Sequence, residues 1–213
     1  MTFVPEPTTT YPDLAARLLA LPPSCGPVRV VAVDGPSGAG KSTFAARLTA
    51  ALDGPPPPLR SDDFRVPWDA DPLTWWRPLT ETVLDLLRDG RPGRLRRYDW
   101  HRDSYGPEEE IPPAPVLIVE GVGAAWRGSP AAYRIWIDAP RALRRARALE
   151  RDGAEYAAAW DAWSELERRH FAADGTLARA DLRVDGRRIE APAFTCRYSS
   201  STSAPVRPPL SRG

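Results

Sequence analysis

Apolar residues recur at helical spacing across residues 11–21, until Pro22 and Pro23 remove the backbone donors a helix needs. This predicts a short amphipathic helix that packs ahead of the core. Residues 28–33 read differently, because Val28, Val30, Val31, Ala32 and Val33 form a nearly continuous, mostly β-branched run. Such a run is expected of a strand buried on both faces of a parallel sheet. Glycines follow, then a helical pattern over 41–52 that Asp53, Gly54 and four prolines stop. The order is strand, glycine loop, helix.

Downstream, a short extended segment over 59–61 delivers Asp62, Asp63 and Phe64, and residues 65–72 form a proline-punctuated loop rich in Trp and Asp. Residues 73–88 predict an amphipathic helix closed by Asp89 and Gly90, 94–100 a strand, and 101–115 a polar, proline-broken loop. The clearest later strand covers 116–119 and ends on Glu120 and Gly121. Another covers 134–137 and ends at Asp138, after which Pro140 opens a helix to about residue 151. A long helix over 155–172 precedes a last strand at 180–184. Strands alternating with helices predict a doubly wound α/β domain with crossover connections. From residue 191 the chain turns to Ser, Thr and Pro with scattered Arg, the composition of a disordered tail. The expected plan is an amino-terminal helix and linker over 1–27, one domain over 28–190 with a lid helix near 140–152, and a tail over 191–213.

Length and composition fit that plan. The 213 residues suit one domain, and 42% hydrophobic with 27% charged residues supplies a buried core. A net charge of +1 gives no global argument for a nucleic-acid or membrane surface, so any anion site must be local. Cys25 and Cys196 show neither metal-ligand spacing nor a disulfide framework. With no basic-then-apolar leader and no membrane-length apolar run, the expected compartment is the cytoplasm. Lys41 is the only lysine among 29 basic residues, and the chain has no Asn and no Gln. A lone lysine in so arginine-rich a chain points to a task that Arg cannot perform.

That task is legible in Gly35-Pro36-Ser37-Gly38-Ala39-Gly40-Lys41-Ser42, which matches the P-loop pattern at every fixed position, between a predicted strand and a predicted helix. Glycines let the loop curl so that successive N–H groups point at phosphate oxygens, and the next helix presents its positive end to the same charge. Lys41 offers a compact, mobile ammonium to the β- and γ-phosphates, where a planar guanidinium is too wide. Ser42 offers a hydroxyl to Mg²⁺. Absences then narrow the class. Switch-type GTPases read guanine with an Asn, and transporter-type ATPases need a Gln, so small-molecule kinases remain.

At this point the residues resemble the uridine kinase (uridine–cytidine kinase) family and the related phosphoribulokinase-like kinases, over roughly residues 28–184. Residues 31–43 look like the family's opening strand and loop. The resemblance implies the P-loop nucleoside triphosphate hydrolase fold, a parallel sheet with helices on both faces, with ATP and Mg²⁺ as cofactors. Ser61, Asp62, Asp63 and Phe64 resemble the family's Asp-x-Phe segment, which implies that Asp62 is the base toward the acceptor hydroxyl. Asp63 competes for that role or serves as a metal or capping residue. Tyr98, Asp99 and Trp100 are similar to a Tyr-Asp-Phe segment whose Tyr contacts the nucleoside. Residues 116–121 resemble the apolar strand ending in Glu-Gly, which implies Glu120 beside the metal. Arg144, Arg147 and Arg151 fall at the spacing of the lid helix, and Ala180 with Asp181 resembles the Ala-Asp step near adenine. The family's Asp-His-Pro segment is echoed only by Asp69, Ala70, Asp71 and Pro72, its histidine is displaced to His101, and no amide side chain is present to read a base edge.

The expected site therefore has Asp62, Lys41, Arg144 and Arg147 as catalytic residues. Gly35, Pro36, Ser37, Gly38, Ala39, Gly40, Lys41, Ser42, Thr43 and Asp181 bind ATP. Asp63, Asp71, Tyr98 and Arg151 bind the acceptor, and Ser42 and Glu120 hold the metal. Each has a plainer alternative: aspartates at strand ends cap turns, Glu120 pairs with an arginine, and i, i+3, i+7 arginines form a solvated face. Trp68, Trp75 and Trp76 are either an aromatic shelf for a flat substrate or packing. The expected activity is γ-phosphoryl transfer from ATP to a hydroxyl of a small molecule, the 5′-hydroxyl of a nucleoside such as uridine. A sugar, pantothenate or a pentose phosphate is the alternative acceptor, and a nucleotide-binding module with little or no kinase activity the alternative class. Neither nucleic acid nor membrane is an expected partner.

Overall fold

The computed structural model describes residues 8–189 and 191–198. Its centre is a seven-stranded sheet. In chain order the strands are β1 (Thr8–Thr10), β2 (Arg29–Asp34), β3 (Leu59–Arg60), β6 (Val116–Glu120), β7 (Tyr133–Asp138), β8 (Leu182–Asp185) and β9 (Ala193–Tyr198); β4 (Gly93–Asp99) and β5 (Ser104–Ile111) pair as a separate hairpin. The spatial order is β1-β9-β8-β7-β2-β6-β3. The five strands from β8 to β3 run parallel, and β9 joins antiparallel to both β8 and β1. The α/β parallel sheet expected from the sequence is thus present, extended by an antiparallel margin.

Period-two side-chain alternation sorts the core. Val31 and Val33 of β2 face a cluster with Leu14 and Leu18 of α1 (Tyr11–Leu19) and Phe44 and Leu48 of α2 (Lys41–Ala51). Tyr11, Phe44 and Phe194 interlock there, with ring centroids 5.0–5.3 Å apart. Val30 and Ala32 face the opposite cluster, built on Trp75, Trp76, Leu79, Val83 and Leu87. That side is covered by α3 (Trp76–Leu79), a π-helical turn (Thr80–Leu84) and α4 (Asp85–Arg88) in place of one regular helix over 73–88. Pro78 supplies no N–H within this run, and the Thr82 hydroxyl donates to the Pro78 carbonyl at 2.8 Å. Helices α5 (Arg141–Asp152) and α6 (Ala157–Asp174) complete the domain.

Three segments differ from the sequence expectation. The polar stretch expected as a loop over 101–115 contains β5, whose partners to β4 are largely charged: Arg94 lies opposite Glu110 and Arg96 opposite Glu108. Thr8–Thr10 is a strand. The expected tail contains β9, because Phe194 and Cys196 alternate inward between β8 and β1. Residues 199–213, the rest of that expected tail, lie outside the described residues. Among the described residues, no helix is long and apolar enough to cross a membrane.

The carboxyl end of α6 is fixed by one buried carboxylate. Asp174 accepts from the Arg127 backbone amide at 3.0 Å, the Arg127 Nε at 3.1 Å, the Thr176 hydroxyl at 2.6 Å and Arg179. Burial opposes its ionisation, yet these donors outweigh burial and hold the carboxyl well below the usual range. Asp174→Ala should lower the unfolding free energy by roughly 2–3 kcal/mol in urea melts, since it strips a buried acceptor from several donors. A depressed pKa contributes stability above the unfolded carboxyl value of about 3.9 and loses it as pH falls. The gap between wild type and variant should therefore shrink in acid.

Candidate active site

Strand β2 ends on Asp34, and the chain turns at once into Gly35 at the carboxyl end of the parallel sheet, where ligands bind in open α/β folds. The loop then enters α2, with Gly40 as a left-handed cap at φ 102°. Gly38, at φ 78°, lies so close to the Arg144 backbone that a Cβ would collide with it. The first helical bond of α2 runs from the Phe44 amide to the Gly40 carbonyl. The amides of Gly40, Lys41, Ser42 and Thr43 thus have no acceptor among the described residues, leaving a cluster of open donors at a positive helix end. Lys41 is buried and rests its amino group on the Pro36 carbonyl at 3.1 Å.

Glu120 ends β6 beside this loop, 4% exposed, and its Oε1 accepts from the Ser42 hydroxyl at 2.7 Å. The Arg60 Nε stands 3.8 Å away. Burial pushes the Glu120 carboxyl up, Lys41 and the Ser42 hydrogen bond pull it down, and the charge of Asp62 raises it further. Among the described residues no group of three His, Cys, Asp or Glu could hold a metal alone. Ser42 and Glu120 fit an ion that takes its other ligands from nucleotide phosphates and water, the habit of Mg²⁺.

Asp62 is exposed, with the Ser61 hydroxyl 3.3 Å from its Oδ1. Its backbone carbonyl accepts from the Trp100 Nε1 at 2.8 Å, so the tip of the β4–β5 hairpin is fastened to it. Tyr98 sits in that hairpin, edge-on to Trp100 and Tyr105, and its hydroxyl takes a 3.2 Å hydrogen bond from Arg65 and donates to Asp103. Arg151, at the end of α5, pairs with Asp152, and Asp62 and Glu120 add smaller pulls that help hold its proton. Asp62, Glu120 and Arg151 therefore share one electrostatic neighbourhood. Arg147 and Arg151 line a cleft of about 260 Å³ with Gly40, Thr43 and Ile189. A larger cleft of about 600 Å³ lies on the Pro36 side, floored by Trp136 and Phe171. The smaller one is also lined by Glu150 and includes Gly40 and Thr43, two of the four residues whose amides stay open.

Four expected residues take different places. Asp63 accepts from the Arg60 amide at 2.8 Å and pairs with Arg97, which capping and hairpin anchoring explain without a substrate. Asp71 accepts from the Leu73 amide at 2.7 Å and closes a turn. Asp181 is a correction. It brackets Arg134 at the amino end of β7, with bonds of 2.8 and 2.9 Å, whereas the P-loop stands at the carboxyl end. At about 3.3 Å per strand residue it is roughly 13 Å from Asp185 along β8, far from the adenine step the resemblance implied. Arg144 is held by the Ala139 carbonyl at 2.9 Å, the Ser37 carbonyl at 3.3 Å and Glu167 at 3.3 Å, so it splits from Arg147 and Arg151. Trp75 and Trp76 are packing, donating to the Val122 and Gly123 carbonyls, while Trp68 is exposed and edge-on to Trp163.

Three residues at the site carry no expectation from the sequence. Asp34 is fully buried and gathers the amides of Gly35, Gly123 and Ala125 at 2.7, 3.0 and 2.8 Å, fastening the P-loop to the loop after β6. Glu167 and Trp163 of α6 both reach Ser37. Their local signals were a carboxylate at a buried strand end and an i, i+4 pair on a long helix.

No protein-family model matches the chain, and no curated protein matches it in sequence. Solved structures do match. A possible uridine kinase from Bacillus stearothermophilus aligns with TM-score 0.58 at 19% identity, covering 81% of this chain and 96% of that one. A candidate fructose transport system kinase from Silicibacter sp. TM1040 aligns with TM-score 0.54 at 22% identity, covering 78% and 95%. The chain has the fold of these P-loop kinase-like structures.

Burial pushes the Asp34 carboxyl up to about 7, against the pull of its three amides and Lys41. A folded pKa above the unfolded value of about 3.9 gives stability that is full below that value and lost as pH rises through the folded one. Relative to Asp34→Asn, wild type should lose stability between about pH 4 and 7 by up to about 1.4 kcal/mol per pH unit, read from urea melts at stepped pH. A pH-independent gap would count against this role for Asp34.

Proposed function

We propose that this protein is an ATP- and Mg²⁺-dependent kinase of a small hydroxylated metabolite, with the 5′-hydroxyl of a nucleoside as the acceptor. The observation that carries the reading is the Ser42–Glu120 hydrogen bond at the mouth of a P-loop whose helix-start amides stay open, with Asp62 exposed within its electrostatic reach. The fold shared with the two kinase structures supports it.

In this reading the amides of Gly40, Lys41, Ser42 and Thr43 take the phosphate chain, and Lys41 leaves the Pro36 carbonyl to meet the terminal phosphates. Ser42 and Glu120 would hold magnesium, which when bound supplies positive charge against the phosphate oxygens. Asp62 accepts the proton of the acceptor hydroxyl as its oxygen bonds to the γ-phosphorus and the bond to the ADP oxygen breaks. Arg147 and Arg151 flank the cleft on the lid side and face the charge that spreads during transfer. The aromatic group of Tyr98, Trp100 and Tyr105, fastened to the Asp62 carbonyl, favours a flat acceptor such as a nucleoside base.

ADP release from ATP and Mg²⁺ should rise on adding a nucleoside from a panel that also holds sugars, pantothenate and pentose phosphates. Lys41→Ala should abolish it. Asp62→Asn should bind ATP nearly as wild type does yet turn over roughly 10²-fold or more slowly. A fully active Asp62→Asn enzyme removes Asp62 as the base, and ATP binding with no stimulating acceptor supports a nucleotide-binding module instead.

A further inference from the structure

Ser37 is the third residue of the P-loop, and all three of its polar atoms are engaged by the two helices that follow β7. Its amide donates to Glu167 Oε2 at 2.9 Å, its hydroxyl accepts from Trp163 Nε1 at 2.9 Å, and its carbonyl accepts from Arg144 at 3.3 Å. The other oxygen of Glu167, Oε1, accepts from the same Arg144 nitrogen at 3.3 Å. Glu167 is 1% exposed, and an ionised carboxylate in such a place costs several kcal/mol unless its partners compensate. Nothing in the packing of α6 alone asks for it. Apolar side chains would fill the space at no such cost, so its partners are what it serves.

The geometry also connects both sides of the cleft. Trp163, one turn before Glu167 on the same helical face, packs edge-on against Trp68 at 6.2 Å, in the segment that follows Asp62. Gly38, next to Ser37, has no room against the Arg144 backbone. The first half of the loop is therefore clamped between α5 and α6, while the second half, from Gly40 to Thr43, keeps its donors open.

We propose that Glu167 is a positioning residue for phosphoryl transfer, acting through Ser37 to set the curvature of the P-loop and through Arg144 to fix the start of the lid helix. The inference rests on the kinase reading above. The two oxygens have separable tasks: Oε2 needs only to accept a hydrogen bond, whereas Oε1 needs negative charge to hold Arg144. A Gln at 167 keeps the first and loses the second.

The test compares wild type, Glu167→Gln, Glu167→Ala and Trp163→Phe as full chains, with ADP binding by calorimetry, KM for ATP and kcat with the stimulating acceptor, and thermal melts. Glu167→Ala should weaken ADP binding and raise KM for ATP by about tenfold or more, the usual cost of losing a supporting partner. Glu167→Gln should return ADP binding to within about threefold of wild type while kcat stays about tenfold low. Trp163→Phe, which removes the bond to the Ser37 hydroxyl and trims the contact with Trp68 but leaves Glu167 in place, should fall between wild type and the Ala variant in ADP affinity. Wild-type ADP affinity in Glu167→Ala, or equal defects in the Ala and Gln variants, would overturn the proposal. So would losses of kcat that merely follow the folded fraction in the melts at unchanged KM. A wild-type chain that binds no ADP overturns the kinase reading itself and this inference with it.

Discussion

Asp34, Glu120, Asp138 and Glu167 all lie within the field of Lys41, and burial drives each of these carboxyls up while the ammonium pulls it down. Four acids sharing one compact cation is a demanding arrangement, and it holds only because each acid has its own additional donors. Asp34 has three amides, Glu120 the Ser42 hydroxyl, Asp138 the Ala139 amide and Arg144, and Glu167 the Ser37 amide and Arg144. Those donors come from four different segments. Satisfying the charges and shaping the loop are consequently one problem, solved by one set of hydrogen bonds. A phosphate chain brings more negative charge to the same ammonium, so binding should depend on the open amides and an accompanying cation as much as on Lys41.

The periphery inherits its position from that centre. The loop after β6 is held by Asp34 from one side and by the indole N–H groups of Trp75 and Trp76 from the other. Helix α5 carries eleven solvent-accessible positions and a single buried one, Ala148, so it gains little from apolar burial. Its placement rests on Arg144, on Arg145 and Arg141 pairing with Asp161, and on Arg147 donating to the Gly186 carbonyl at 2.9 Å. Its firmest tie is the buried Arg144–Glu167 pair, and the exposed pairs with Asp161 add little by comparison.

The P-loop, β2, α2 and β6 could be read in the sequence because each depends on residues near in the chain: glycine spacing, β-branched runs and helix stops. Glu120 was legible for the same reason, as a charge at the end of an apolar strand. What escaped depends on distant partners. Strand β5 buries only Ile111 at its end and carries three consecutive glutamates, two of them opposite arginines of β4, so it lacks the apolar alternation that marks a strand. Strands β1 and β9 exist because each supplies the other's ladder across nearly the whole chain. Asp181 was placed near adenine by the resemblance of Ala180 and Asp181 to a family Ala-Asp step, while the register of β7 with β8 sets it at the amino edge of the sheet. Glu167 looked like one more charge on a helix until Ser37 came to meet it.

The same short strands have a meaning for association. A sheet margin with unpaired backbone groups invites a strand from another molecule, and long flat margins invite it most. Here the margins are β3, with two residues, and β1, with three. The antiparallel addition of β9 and β1 covers β8, which would otherwise have left a parallel strand open. Among the described residues, neither margin of the seven-stranded sheet offers a long template to a strand from another molecule.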